Sequence, residues 1–575
     1  MTTNFKNINF FDQIANWLIE FYISVTPIYA ILIIWKAVIL YQNNNIEHTF
    51  YKKWSTIWAL GFGMLYTSLL FSVIIAAYAR FTGQFNALYT YGSTIEFFNV
   101  SLDCLKLYFL IISHIVLLIA LTTYKNQVLD RGYYDASLIP SENNPISNSK
   151  EIHMQCNKNP DFLFIALIFA LHLILHFLFL TENLLVFFIL FESSIIPVFC
   201  IIGFFGKRSL KFNAMYYILY FTLVSATPML LSIIFIYSKV GTFHFPEVQN
   251  HISLYGVIKY DKKVLILLFF GFFIPFAVKL SLFPFHTWLP EAHVESSTEG
   301  SIILSGIMLK LGFYGLMKFC IPTFYWILGD VSSVILLFAV LGSITTSLSM
   351  YKQLDIKKII AYSSVVHMNM AVCGFFSFSQ TAITGAILFS FAHALSSAGL
   401  FCAVGYLYDK LKTRNILEIS GTWEYMPKWS FFFFILILSN AGIPGTINFV
   451  AEITLIGGIF EKFNIVAIFI LIALVISSFR NFLLFTQICM GVSSSFLNPY
   501  LVYEDTKKKV LIIKQWDINF SGEGLTLCYI TFFSVLTGLN PEFFIDLIQW
   551  EAEHLTLQSP WIFLFNKVEL FYILI

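Results

Sequence analysis

FFGFFIPFAVKLSLFPF, residues 269–285, is apolar enough to lie in a bilayer, yet it carries a lysine at 279 between prolines at 275 and 284. Each proline lacks the N–H that an α-helix needs four residues on, so Pro275 leaves the Gly271 carbonyl unpaired and Pro284 that of Leu280. A lysine at a helix centre costs about 2.5 to 3.5 kcal/mol on insertion scales. The next apolar stretch, SIILSGIMLKLGFYGLMKF at 301–319, places Lys310 in the same predicament. Two such residues point to a chain that moves charge across a membrane.

Composition agrees with that class. Of 575 residues, 58% are hydrophobic and 12% charged, more apolar than a soluble core requires. A net charge of +1 provides no basic domain for nucleic acid. The eight cysteines (104, 156, 200, 320, 373, 402, 489 and 528) lie mostly within apolar spans without a C-x-x-C, and read as packing residues rather than an iron–sulfur or zinc site. No phosphate-binding glycine motif is present. The opening MTTNFKNINFFDQIANW has neither transit-peptide nor signal-peptide character. The 65 phenylalanines, with abundant Ile, Asn and Tyr, are the bias of an AT-rich coding sequence and hint at an organelle genome. Aromatic residues, 18% of the chain, serve as lipid-facing bulk and interface anchors.

About fourteen apolar spans of near-bilayer length can be counted: 21–40, 55–78, 105–122, 161–180, 183–205, 213–237, 264–285, 300–320, 332–350, 356–377, 381–407, 430–458, 464–486 and 524–547. Continuous apolar runs of this length are helices, because lipid leaves no partner for an open backbone. The expected fold is therefore an all-α polytopic bundle. Basic residues such as Lys52, Lys125, Arg208, Lys357, Arg414 and Lys507 fall in loops after odd-numbered spans, which predicts that those loops face cytoplasm or matrix. The loop from Lys239 to Lys263 breaks that pattern. Expected units are residues 1–123 with spans 1 to 3, a polar loop at 124–160, halves at 161–320 and 321–489, and a final loop, span and tail at 490–575.

A second break, Asn440-Ala-Gly-Ile-Pro444-Gly445, interrupts span 12 shortly before Glu452. Paired broken helices in corresponding halves are how inverted-repeat transporters make ion sites, so spans 4 to 8 and 9 to 13 are expected to form two inverted five-helix repeats. Glu192, followed by Pro197, is the expected counter-ion of Lys279. A carboxylate close by holds the lysine's proton, and separation in an apolar medium releases it. His367 and His393 lie on later spans, where imidazole relays protons near neutral pH. The expected order is Lys310, His367, His393, Glu452. His172 and His176 share a helix face without a visible third ligand, which favours packing over metal binding.

Five stretches carry a resemblance: KLSLFPFHTWLPEAHVES (279–296), LKLGFYGLMKF (309–319), QLDIKKIIAYSSVVHM (353–368), HALSSAGLF (393–401) and NAGIPGTINFVAE (440–452). They are similar to the antiporter-like, proton-pumping subunits of respiratory complex I, over roughly residues 160 to 490. The resemblance implies a multi-pass subunit of the mitochondrial inner membrane that translocates protons, coupled to NADH oxidation and ubiquinone reduction elsewhere in the complex. It implies no cofactor in this chain, with FMN, iron–sulfur clusters and ubiquinone in other subunits. Implied partners are other membrane-arm subunits, with chains 2 and 5 as neighbours, and lipids. Residue by residue, Glu192 matches the family's span-5 glutamate, Lys279 its broken-helix lysine and Lys310 its central lysine. His367 and His393 match the connecting histidines. Glu452 matches the acid of the second broken helix, where chains 2 and 5 generally carry lysine.

One departure bears on geometry. The family usually reads Ala-Pro after His-Val-Glu, where this chain has Ser296-Ser297, so a rigid turn before the Lys310 helix is expected to be lost. Two other functions share these features: a subunit of a multi-subunit cation/proton antiporter, and a non-catalytic scaffold whose buried charges fix helix register.

Overall fold

The computed structural model describes residues 19–20, 22–39, 50–82, 89–91, 99–137, 160–206, 208–259, 261–491, 517–518 and 522–557. Helices Tyr22–Ile39 (α1) and Phe50–Thr82 (α2) come first. A small antiparallel hairpin follows, Tyr89–Tyr91 (β1) with Val100–Leu102 (β2), the one departure from an all-α chain among the described residues. Cys104–Ser137 (α3) is longer than its apolar run. The loop expected from residue 124 therefore starts later, because 124–137 contains Leu, Ala, Gln and Arg and no proline before Pro140. The remainder of that loop, and most of 490–523, lies outside the described residues.

Pro160–Leu180 (α4) opens on proline and then Asp161, both suited to a helix start. Leu184–Ser193 (α5) is capped by Asn183, whose side chain accepts from the backbone N–H groups of Leu185 and Val186 at 3.0 and 3.2 Å. A one-residue interruption at Ser194 separates it from Ile195–Phe205 (α6), where Pro197 removes a donor. Lys211–Val240 (α7) and Phe245–Lys259 (α8) lead to Lys262–Lys279 (α9) and Trp288–Glu295 (α10). The helical run Thr298–Thr323 (α11) is followed by Tyr325–Lys352 (α12), Ile356–Phe376 (α13) and Gln380–Leu411 (α14). Pro427–Asn440 (α15), Ile447–Lys462 (α16), Asn464–Cys489 (α17), Glu523–Leu539 (α18) and Glu542–Leu557 (α19) complete the bundle.

Eleven helical spans among the described residues are long and apolar enough to cross a membrane, or twelve if the bent pair α18–α19 is one span. They coincide with eleven of the expected positions. The three others are interrupted: α9 ends at Lys279, 430–458 is split into α15 and α16, and α18–α19 bends by 65°. The protein is thus an all-helical polytopic membrane protein. Its centre is α14, enclosed on every side, with α3, α11 and α13 almost as deeply buried. By contrast, α7 exposes Tyr216, Tyr220, Leu223, Val224 and Leu231.

Close approach between helices α9 and α11 rests on two glycines. A Cβ on Gly312 would come within 2.7 Å of the Phe276 carbonyl oxygen, and one on Gly315 within 2.2 Å of the Phe276 ring. The turn bearing Lys310 is thereby held against the last turn of α9, which carries Lys279. Replacing Gly312 with Val is expected to cost about 1–3 kcal/mol by overpacking. Thermal unfolding of the purified chain in detergent checks this as a lowered Tm; an unchanged Tm would mean that the helices have room to part.

Candidate functional site: a buried polar line across broken helices

Lys279 is the last residue of α9 and is buried. The helix runs through Pro275 without ending, so the break lies wholly on the C-terminal side of the lysine and not on both sides as expected. Beyond it, Ser281 has φ +56 and the Phe283–Pro284 peptide is cis. The ammonium donates to the Phe191 carbonyl and to Ser194 Oγ at 3.3 Å, and sits 3.3 Å from the centroid of the Phe191 ring. These acceptors are neutral and border the interruption between α5 and α6. No direct salt bridge joins Lys279 to Glu192: Glu192 is half-buried on the adjacent position of α5, with Oε2 lacking a hydrogen-bond partner. The expected contact pair is therefore replaced by a lysine held on backbone and hydroxyl oxygen, with the carboxylate nearby.

Lys310 lies in a short α-helical segment, Leu309–Gly315, between two π-helical stretches, Leu304–Met308 and Leu316–Cys320. Wider π turns displace carbonyls from the regular ladder and recur at functional sites. The ammonium donates to the Ser305 carbonyl at 2.7 Å and to His393 Nδ1 at 2.8 Å. The expected order is corrected here, since His393 on α14 touches the lysine directly. His367 on α13 lies beside it with ring centroids 5.7 Å apart, and also packs on Phe389 at 5.2 Å. Both nitrogens of His367 and Nε2 of His393 are buried without a protein partner.

Glu452 lies in the second turn of α16, buried and past the break. Gly442 in that break has φ +68, and a Cβ there would fall 2.0 Å from Glu452 Oε2, so the carboxylate packs directly against the turn. Asparagines on both sides fasten the break to the central helices. Asn440 Nδ2 reaches Ser363 Oγ on α13 at 3.5 Å, and Asn448 Nδ2 donates to Ser396 Oγ on α14 at 3.2 Å. Ser363 is one turn from His367, and Ser396 one turn from His393. Asn440 is read from the sequence only as the start of the break, and the fastening pairs it and Asn448 make with Ser363 and Ser396 are not, although small polar side chains recurring inside apolar spans are the available signal.

Lys357, expected in a surface loop, is buried in the first turn of α13. It donates to the Ser296 and Ser297 carbonyls at 3.0 and 3.3 Å and to Ser301 Oγ at 2.9 Å. The turn lacking Ala-Pro is thus fixed by other means: Ser297 Oγ caps α11 by accepting from the Gly300 N–H at 3.2 Å, and Ser296 Oγ pairs with Ser301 Oγ at 2.7 Å. His293 on α10 stacks on Phe401 with centroids 4.5 Å apart. His172 and His176 are joined by a third imidazole that spacing did not reveal, His114 on α3, 5.0 Å from His172. His176 Nε2 pairs with Thr26 Oγ1 at 3.0 Å. Among the described residues no three His, Cys, Asp or Glu side chains are placed to hold a metal ion.

The family profile described as NADH:quinone oxidoreductase/Mrp antiporter, transmembrane, matches residues 181–477. NADH-ubiquinone oxidoreductase chain 4 of Acanthamoeba castellanii is 37% identical over 391 residues, 67% of this chain and 73% of that one. The Marchantia polymorpha chain 4 is 37% identical over 335 residues, 58% of this chain and 66% of that one. A chain of respiratory complex I from Thermus thermophilus shares the fold with a TM-score of 0.72 at 20% identity, covering 93% of this chain and 99% of that one. A chain of the Mrp complex from Dietzia sp. shares it with a TM-score of 0.69 at 17% identity, over 94% and 98%. Fold, motif order and sequence together make this chain a member of the NADH:quinone oxidoreductase/Mrp antiporter family, in its NADH-ubiquinone oxidoreductase chain 4 branch.

Proposed function

We propose that this chain is a core membrane-arm subunit of respiratory complex I in the mitochondrial inner membrane. It carries protons across the membrane while NADH is oxidised and ubiquinone reduced on other subunits, which hold FMN and iron–sulfur clusters. The observation that carries this reading is the buried line of Lys279, Lys310, His393, His367 and Glu452, its lysines and glutamate set beside helix breaks or π-helical stretches and its histidines on the continuous helices α14 and α13. The membrane-arm neighbours are other complex I subunits, chains 2 and 5 among them. The three interrupted stretches complete fourteen crossings, with α9–α10 and α15–α16 as the broken helices of two inverted five-helix repeats. Lysine- and arginine-rich loops face the matrix.

In the proposed cycle, a signal from a neighbouring subunit moves Glu192 relative to Lys279. Pairing with the carboxylate holds the lysine's proton; retreat to the neutral Phe191 carbonyl and Ser194 hydroxyl lets it go toward Lys310. His393 accepts from Lys310 along the 2.8 Å contact, and His367 and Glu452 extend the line. Moving one charge against 100 mV takes about 2.3 kcal/mol. Breaking a buried ion pair is worth about 3–5 kcal/mol, which is sufficient.

Membership in a family that includes Mrp antiporters keeps one other reading in play, a cation/proton exchanger, which predicts sodium-dependent proton exchange without NADH. A scaffold whose charges only fix register predicts normal turnover of whatever complex assembles.

Two substitutions test the reading. Lys279→Ala is expected to leave the complex assembled and oxidising NADH while lowering the protons moved per NADH in reconstituted vesicles; an unchanged ratio contradicts the role given to Lys279. His393→Leu takes an acceptor from a buried ammonium and is expected to cost about 1–3 kcal/mol. This is read as a lowered Tm, largely recovered by His393→Gln, which keeps an acceptor; equal losses in both variants would show that the imidazole matters only for its shape.

A further inference from the structure

At the end of the bundle opposite the loops of Arg208, Lys357 and Arg414 lies a second set of charges, buried or half-buried, which shares only α11 with the proton line. Asp103 caps α3, its Oδ1 accepting from the Lys106 N–H at 2.8 Å. Its Oδ2 pairs at 2.7 Å with Lys318, two turns beyond Lys310 on the same helix. Lys106, wholly buried, donates to Ser101 Oγ and to the carbonyls of Ser101 and Leu180 at 3.3 and 3.4 Å, and lies 3.5 Å from Glu182 Oε1. Ser101 Oγ in turn donates to Glu182. Glu551 on α19 is buried and acts electrostatically on Lys318 and Asp103. Tyr314, one turn from both Lys310 and Lys318, donates its hydroxyl to the Phe179 carbonyl at 3.2 Å and feels the charges of Asp103, Glu182 and Glu551.

Two properties separate this set from a static clamp. Three carboxylates against two ammoniums leave one negative charge when all are ionised, so the set accepts one proton and becomes neutral. It also opens outward in steps. Glu182 Oε2 is 3.4 Å from His244 Nε2, and His244 Nδ1 is 3.6 Å from Glu247 Oε1. Side-chain exposure rises from 0% at Lys106 through 19% at Glu182 and 27% at His244 to 58% at Glu247. A neutral imidazole takes a proton on one nitrogen and yields one from the other, which suits the middle position. Burial alone would raise the Asp103 carboxyl, but Lys318 and Lys106 outweigh it and hold it below the usual carboxylate range. Glu182 is held down in the same way, chiefly by Lys106 and Ser101 against its burial.

We infer that Asp103, Lys106, Glu182, Lys318 and Glu551 form a proton-release station that takes one proton from the Lys310 helix and delivers it through His244 to the surface at Glu247. One proton enters and one leaves, and no bond other than those to hydrogen changes. The inference rests on the proton-pumping reading above.

The test uses the assembled complex in vesicles, with protons released per NADH measured beside NADH oxidation in the presence of a protonophore. Glu182→Gln is expected to lower the ratio as much as Lys279→Ala does, with protonophore-treated oxidation unchanged and Glu182→Asp restoring most of the yield. Should the glutamine variant fail to assemble, His244→Gln at the partly exposed edge carries the same expectation. A lowered ratio in Lys279→Ala with the parental ratio in Glu182→Gln or, where that fails to assemble, in His244→Gln overturns the release station and spares the pumping reading. A parental ratio in Lys279→Ala removes the pumping reading and the station with it.

Discussion

A buried ammonium must have acceptors, and a regular helix has none to give because its carbonyls are already paired. Both central lysines are satisfied at a helix defect. Lys279 takes the Phe191 carbonyl beside the interruption at Ser194, and Lys310 takes the Ser305 carbonyl within a π-helical stretch. The defects therefore supply polar atoms at a depth where a continuous helix would present only side chains. They also make the acceptors replaceable, since a lysine held by a neutral carbonyl gains by exchanging it for a carboxylate. In the proposed cycle, that exchange is what captures and releases the proton.

Close packing converts these local arrangements into a line. Gly312 and Gly315 bring α11 against α9 so that the two lysine-bearing turns meet, and Gly442 lets the break before α16 seat Glu452. Asn440 and Asn448 fasten that break to the serines one turn from His367 and His393. The enclosed helices α13 and α14 thus form a rigid wall carrying the imidazoles, while charged ends at either side are held by elements already broken. Helix α11 joins the two ends of the molecule, with Lys310 at its middle and Lys318 toward the other face.

Much of this was legible in the sequence because bilayer thickness and the cost of charge are strict constraints. The positions of eleven spans, the breaks at 280–287 and 441–446 and five buried ionisable residues followed from apolar length, proline and isolated charge. Pairings did not follow. Glu192 and Lys279 were matched by charge alone, whereas the carbonyl that Lys279 uses is set by where α5 stops. The order of the histidines depends on helix rotation, which residue spacing along separate helices does not fix. Lys357 reads as a loop residue because its helix begins only one residue earlier and its acceptors are the carbonyls of a turn distant in sequence. The Ser296-Ser297 pair reads as a loss of rigidity because the hydrogen bonds from Lys357 are tertiary information, although the Ser297 cap on Gly300 is local.

The central claim is that this chain moves protons as part of an NADH-driven complex. Its most direct test is to isolate the complex from the native membrane, identify this chain in it by mass spectrometry, and follow proton movement and quinone reduction together in vesicles. The account predicts that the chain co-purifies with NADH-driven pumping that stops when quinone reduction is inhibited. A chain absent from that complex, exchanging sodium for protons without NADH, would contradict it.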